Sequence, residues 1–255
     1  MKRAIPSLSI YIGALAVCIP AVGGPLDLLK SAVTKTNAAA TSVLPEEQIV
    51  GGLKEALGKG VERAVSFLGR TNGFLTNRNV KILMPQKLQS VEKGLRFAGQ
   101  GRLVDEFIAS MNRAAEQAVP TAAPVFGDAI RQMSIADAKN ILGGTNDAAT
   151  QYFRRVTQTN LHAKFYPLVQ KATDSAGVTA RYKQMMSKFT AADSLGGLFA
   201  GKSPVKFEAA DIDAYVTDKA MDGLFKVVAD EEKNIRANPV ARTTDLLRRV
   251  FGPSR

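Results

Sequence analysis

Asp218 and Asp222 stand four residues apart in "YVTDKAMDGLF", so a helix there carries both carboxylates on one face. Such a pair is what general acid/base chemistry requires. Lys219 and Lys226 lie close by, however, and a solvated, ion-paired face has the same signature. His162 is the single histidine. That excludes two-histidine metal sites and the histidine clusters of metal-assisted hydrolysis. A Ser–His–Asp arrangement finds no support, because no serine sits in a G-x-S-x-G elbow and no strand leads into one. "DIDAYVTDKAMD" lacks calcium-loop spacing and its central glycine. "GGTNDAAT" lacks the Lys-Ser/Thr of a phosphate loop and follows a helical run rather than a strand. Neither a metal site nor a cofactor is expected.

What remains is the chemistry of fixed positive charge. Asn112, Arg113, Thr150, Tyr152, Arg154, Thr217, Lys219, Arg236, Arg242 and Thr243 interrupt strongly apolar helix faces. A polar side chain buried there without a partner costs about 1–3 kcal/mol. These residues therefore form structural networks between helices, or several cations converge on a cleft and grip an anion bidentately. In the second case Arg113, Arg154, Lys219, Arg236 and Arg242 are the candidate anion site. The formal charge of +11 points the same way, and residues 233–255 hold six Lys/Arg against Asp245. Such a field attracts nucleic acid, anionic lipid headgroups or acidic proteins. With no tryptophan, a base-stacking groove is poorly supported.

Helices must position these groups. Ile49, Leu53, Leu57, Val61, Val65 and Leu68 recur at helical spacing between Pro45 and Gly69, and the glycines inside this run suggest close helix–helix contact. A loop at 70–85 has turn chemistry at Asn72-Gly73. Periodic runs follow at 88–98, 103–118 and 123–133. Ser134 and Asp137 form a capping-box variant opening "IADAKNIL". Asn146 can cap the next helix, and Pro167 should bend or break its apolar face. Val178, Tyr182, Met185 and Phe189 mark another run, and 190–211 reads as a mobile surface loop. Helices at 212–235 and from Asn238-Pro239 onward, carrying Leu246, Leu247, Val250 and Phe251, complete the chain. Only "VKIL" (80–83) could pair as a strand. The expectation is an all-α single domain of about nine or ten helices, without internal repeats.

The N-terminus reads as an export signal. Lys2 and Arg3 precede an apolar run, Ile10–Ile19, too short to span a bilayer, and Ala21-Val22-Gly23 offers a cleavage site. Residues 1–23 are the expected signal peptide and 24–44 a flexible arm. Leu15-Ala16-Val17-Cys18 resembles a lipoprotein box, but Val17 stands where that pattern has a small residue, so lipidation at Cys18 is the less favoured alternative. Loss of the leader removes the only cysteine, and with it any disulfide or thiol nucleophile. About 230 residues remain, enough for one substantial core.

Four stretches carry a family likeness: "MNRAAEQAVP" (111–120), "DAATQYFRR" (147–155), "YVTDKAMDGLF" (215–225) and "EEKNIRANPVARTTDLLRRVFG" (231–252). Over residues 45–252 the chain resembles the bacterial DUF4197 family, a domain of unknown function in proteins that usually carry export signals. The resemblance implies one folded domain and a periplasmic location, and it transfers no catalytic residue. The expected function is non-catalytic binding of an anionic envelope component or a partner protein, with peripheral membrane contact open and oligomeric state undetermined. A hydrolase using Asp/Glu with arginine stabilisation is the alternative, and nucleic-acid binding follows from charge alone. Export argues against DNA as the natural partner.

Overall fold

A computed structural model describes residues 45–196 and 209–238, all within one unit, Leu44–Arg255. The leader, the arm, Cys18, Arg242, Thr243 and the helix expected beyond Asn238-Pro239 lie outside the described residues. Among the described residues every regular element is helical. They are α1 (Glu46–Gly69), α2 (Gln89–Phe97), α3 (Gly101–Ala118), α4 (Ala122–Gln132), α5 (Ile135–Leu142), α6 (Ala148–Ser175), α7 (Val178–Gly196) and α8 (Ala209–Ala237). Short 3-10 turns at Gln86–Leu88 and Val119–Thr121 lead into α2 and α4. No described helix is long and apolar enough to cross a membrane.

The all-α expectation holds, with eight helices among the described residues where nine or ten were expected for the chain. One of those expected, beyond Asn238-Pro239, lies outside the described residues, and Pro167 removes another because it lies inside α6 without ending it. A mid-helix proline costs roughly 3 kcal/mol. Here it is exposed, while Leu161, Phe165 and Val169 stay buried on both sides of it and hold the helix to the core. Parts of the loop expected at 190–211 are helical, because α7 runs on to Gly196 and α8 begins at Ala209, while 197–208 lie outside the described residues. Ala191 and Ala192 are strong helix formers. "VKIL" forms no strand.

Pairing of α6 with α8 is the most extensive, followed by α8 on α1 and α6 on α3. Phe126 of α4, Phe153 of α6 and Phe225 of α8 meet edge to face, with ring centroids 5.1 and 5.8 Å apart. Each fully buried phenylalanine contributes roughly 1.5–3 kcal/mol, so this trio fixes the α6/α8 seam. Two glycines admit the loop at 70–85 to the core. Asn72 takes the left-handed conformation (φ 64°) expected of this turn. A Cβ on Gly73 would lie 2.5 Å from the carbonyl oxygens of Phe67 and Leu68. On Gly223 it would lie 2.7 Å from the Phe74 ring. The α1 glycines serve no such purpose at Gly51 and Gly58, where nothing lies within 4 Å, while Gly60 meets Ile235 at 3.6 Å. Close helix contact thus accounts for Gly60 but not for its neighbours.

Candidate functional site

Helices α6 and α8 carry arginine–carboxylate groups at two places, and burial separates them. At the start of α6, Glu232 accepts the backbone N–H groups of Ala149 and Thr150 and the Thr150 hydroxyl, each at 2.9 Å. Arg236 donates to the same carboxylate through Nε at 3.1 Å and Nη2 at 2.9 Å, and to the Ile141 carbonyl at 2.7 Å. Glu232 therefore caps α6 from across the molecule, satisfying N–H groups that a helix start leaves open. The expected cap, Asn146, is not used: Asp147 occupies the N-cap position and makes no side-chain cap bond. Asp147 instead accepts from Thr145 and Gln151, which hold its carboxyl below the usual range. By contrast the Ser134–Asp137 capping box at α5 forms as expected. Arg236, a candidate anion ligand, is thus a structural residue with its carboxylate already supplied.

Asn112 and Glu116 play the same part on α3. The wholly buried Asn112 accepts the Ile82 N–H at 2.9 Å and donates to the Ile82 and Ile108 carbonyls at 2.8 Å. It pairs with the "VKIL" backbone as a neighbouring strand would. Glu116 accepts from the N–H groups of Asn72, Phe74 and Leu75. Glu116 is not among the sequence candidates, and Glu232 stands out there only within the carboxylate run Asp230-Glu231-Glu232, although a signal for a buried acid existed. Each follows an apolar residue by eight or four positions on a buried stripe, Ile108–Asn112–Glu116 and Val228–Glu232, where an acid needs donors.

The other group faces a groove of about 1270 Å³ between α6, α8 and the segment 83–89. Met84, Met221 and Phe225 supply apolar lining. Arg154 lies over the Phe225 ring at 4.5 Å, and its Nη1 is 3.6 Å from Asp222. Lys219 approaches the same carboxylate at 3.7 Å. His162 Nε2 lies 3.6 Å from Asp218 and its ring stacks on Tyr166. Tyr215 donates to the Leu83 carbonyl at 3.0 Å, and burial pushes its hydroxyl up, which keeps it protonated as a donor. Pro167 has no N–H to offer the carbonyl of Ala163, which also lines the groove. Asp218 and Asp222 share a face of α8 as the spacing requires, Asp218 beside the His162 imidazole and Asp222 beside two cations.

Of the five candidate anion ligands, the structure brings Arg154 and Lys219 together. Arg113 is exposed on α3 and does not line the groove, Arg236 is committed to Glu232, and Arg242 lies outside the described residues. Lys87, Gln86, Gln89, Gln158 and Thr159 line the groove without having been singled out in the sequence. No cluster able to hold a metal ion occurs among the described residues.

A family model described as a protein of unknown function (DUF4197) matches residues 43–252. The chain belongs to the DUF4197 family. Two of its four blocks contain residues of the two arginine–carboxylate groups, Thr150 and Arg154 in one, Lys219 and Asp222 in another, and a third carries the separate Asn112–Glu116 cluster of α3. The fourth block of this DUF4197 chain opens on Glu231-Glu232 and continues through Arg236. No curated protein and no solved structure matches the chain.

Proposed function

We propose that this DUF4197 protein is a non-catalytic binding protein that acts outside the cytoplasm and captures an anionic envelope component or partner in the α6/α8 groove. The observation that carries this reading is Asp222 bracketed by two cations, Arg154 at 3.6 Å and Lys219 at 3.7 Å. Each cation faces a different oxygen of this one carboxylate, so the trio keeps a net positive charge that a ligand's anion would neutralise. Their pairing is loose and solvated, so it is worth no more than about 1 kcal/mol and is readily exchanged. The aromatic face of Phe225 holds the Arg154 guanidinium in place meanwhile.

Hydrolysis is less well supported. One carboxylate of a pair becomes a proton donor through burial or like-charge crowding. Asp218 and Asp222 have side chains 65% and 57% exposed, and Asp222 has two cations as neighbours. A panel of polyanions tests the reading: phosphatidylglycerol vesicles, an acidic peptide and a sulfated polysaccharide, titrated against the full chain at low and high salt. At least one should bind, weaken as salt rises, and lose most of its affinity with Arg154→Gln and Lys219→Gln combined. Equal binding by the double variant would remove the groove from the function.

A further inference from the structure

The groove differs from a small-molecule pocket in three ways. Its volume of about 1270 Å³ exceeds the roughly 300–1,000 Å³ typical of compact ligands. Its lining mixes methionine and aromatic surface with three carboxamides, Gln86, Gln89 and Gln158, and the Thr159 hydroxyl. One wall, finally, is backbone. Residues 81–85 belong to no helix or turn, and the proline at 85 (φ −53°, ψ 141°) confines Met84 to extended conformations as well. The backbone of this wall turns alternately to opposite neighbours. Ile82 bonds through both its N–H and its C=O to Asn112 of α3, whereas the Leu83 carbonyl bonds to Tyr215 of α8.

Leu83 and Met84 both line the groove, and neither backbone N–H has a hydrogen-bond partner among the described residues. The Leu83 side chain is 60% exposed. An extended wall, an open donor and exposed apolar surface are features by which proteins receive a peptide strand. The cation pair beside Asp222 adds a place for one negative side chain. We propose that the groove receives an extended peptide segment of a partner protein, with an acidic side chain between Arg154 and Lys219 and a backbone carbonyl on the Leu83 N–H. This rests on the anion-binding reading above and narrows it to a peptide. Glutamine side chains would bridge to the peptide's remaining amide groups, and the exposed Leu83 would take an apolar side chain beside the acid.

Fluorescence polarisation with the full chain tests this, using a fluorescein-labelled nonapeptide of Ala, Leu and Gln with one central Glu, and its twin with Gln at the centre. The Glu peptide should bind at least tenfold more tightly than its twin at low salt, and the advantage should vanish in Arg154→Gln/Lys219→Gln. On binding, the Leu83 amide should exchange its hydrogen at least tenfold more slowly, a readout that needs no substitution in the wall. Equal affinity for the two peptides, or an unchanged Leu83 amide, would overturn the proposal. Binding to phosphatidylglycerol vesicles without binding to either peptide would overturn it while leaving the anion-binding reading intact. No binding to any of these probes would overturn both.

Discussion

Glu232–Arg236, within α8 and capping α6, and Asp222–Arg154, between α8 and α6, each set an arginine beside a carboxylate, yet they do opposite work. The first is buried, with side chains 5% and 13% exposed, and every contact named lies at 3.1 Å or less. The second is about half exposed and its closest approach is 3.6 Å. Buried, the ion pair repays its desolvation only because the α6 N-terminus and the Ile141 carbonyl complete its hydrogen bonds. Exposed, the same pair is loose enough to exchange partners. Burial, rather than residue type, separates scaffold from candidate site.

The sharpest way to break this comparison is Glu232→Ala. It takes the carboxylate from a buried guanidinium and uncaps α6, and should cost about 3–5 kcal/mol in urea unfolding. A loss below about 1 kcal/mol would mean that the buried group is no scaffold. Asn112→Ala comes next: it leaves the Ile82 N–H and C=O unpaired at a site 1% exposed, at about 1–3 kcal/mol for each group stranded. Because Asn112 holds the groove wall, peptide affinity should fall together with stability, whereas Glu232→Leu/Arg236→Leu, if folded, should leave affinity intact.

Asp213 gives a smaller, pH-dependent test. Burial pushes its carboxyl above the usual range, opposed by the Thr173 hydroxyl that donates to it and reinforced by the nearby Asp174. An acid raised in the folded state favours folding while protonated. That contribution is whole below the carboxyl's unfolded value and is lost as pH rises through the folded one. Asp213→Asn keeps an acceptor for Thr173, so it should raise the melting midpoint at pH 7 and match the wild type at pH 3. A lower midpoint at pH 7 would show that the charged form is the one stabilised. The smallest effect on stability is expected from Arg154→Gln/Lys219→Gln, below about 1 kcal/mol by thermal unfolding, although it removes binding. A larger loss would make the groove cations structural and erase the contrast with Glu232–Arg236.

Much of this was legible in local patterns. Apolar spacing located the helices, Ser134–Asp137 announced its own capping box, and Asn72 its turn, because each depends on neighbours within a few residues. Pro167 misled for the same reason: a local rule assigns it a break, and packing by Leu161, Phe165 and Val169 overrules the rule. Arg154 and Lys219 share the groove, whereas Arg236 has the same chemistry and neighbouring apolar positions but a different fate.

The sequence alone determined the helical class, the single histidine that excludes two-histidine metal sites, and the basic charge, each from composition or short-range spacing. The family came from the resemblance of four blocks spread along the chain. Tertiary structure alone decided which polar residues are committed and which are available. That choice depends on contacts such as Glu232 with Ala149 and Asn112 with Ile82, made between residues far apart in the chain. A carboxylate's role is set by the donors that surround it in space, and no spacing along the chain specifies those.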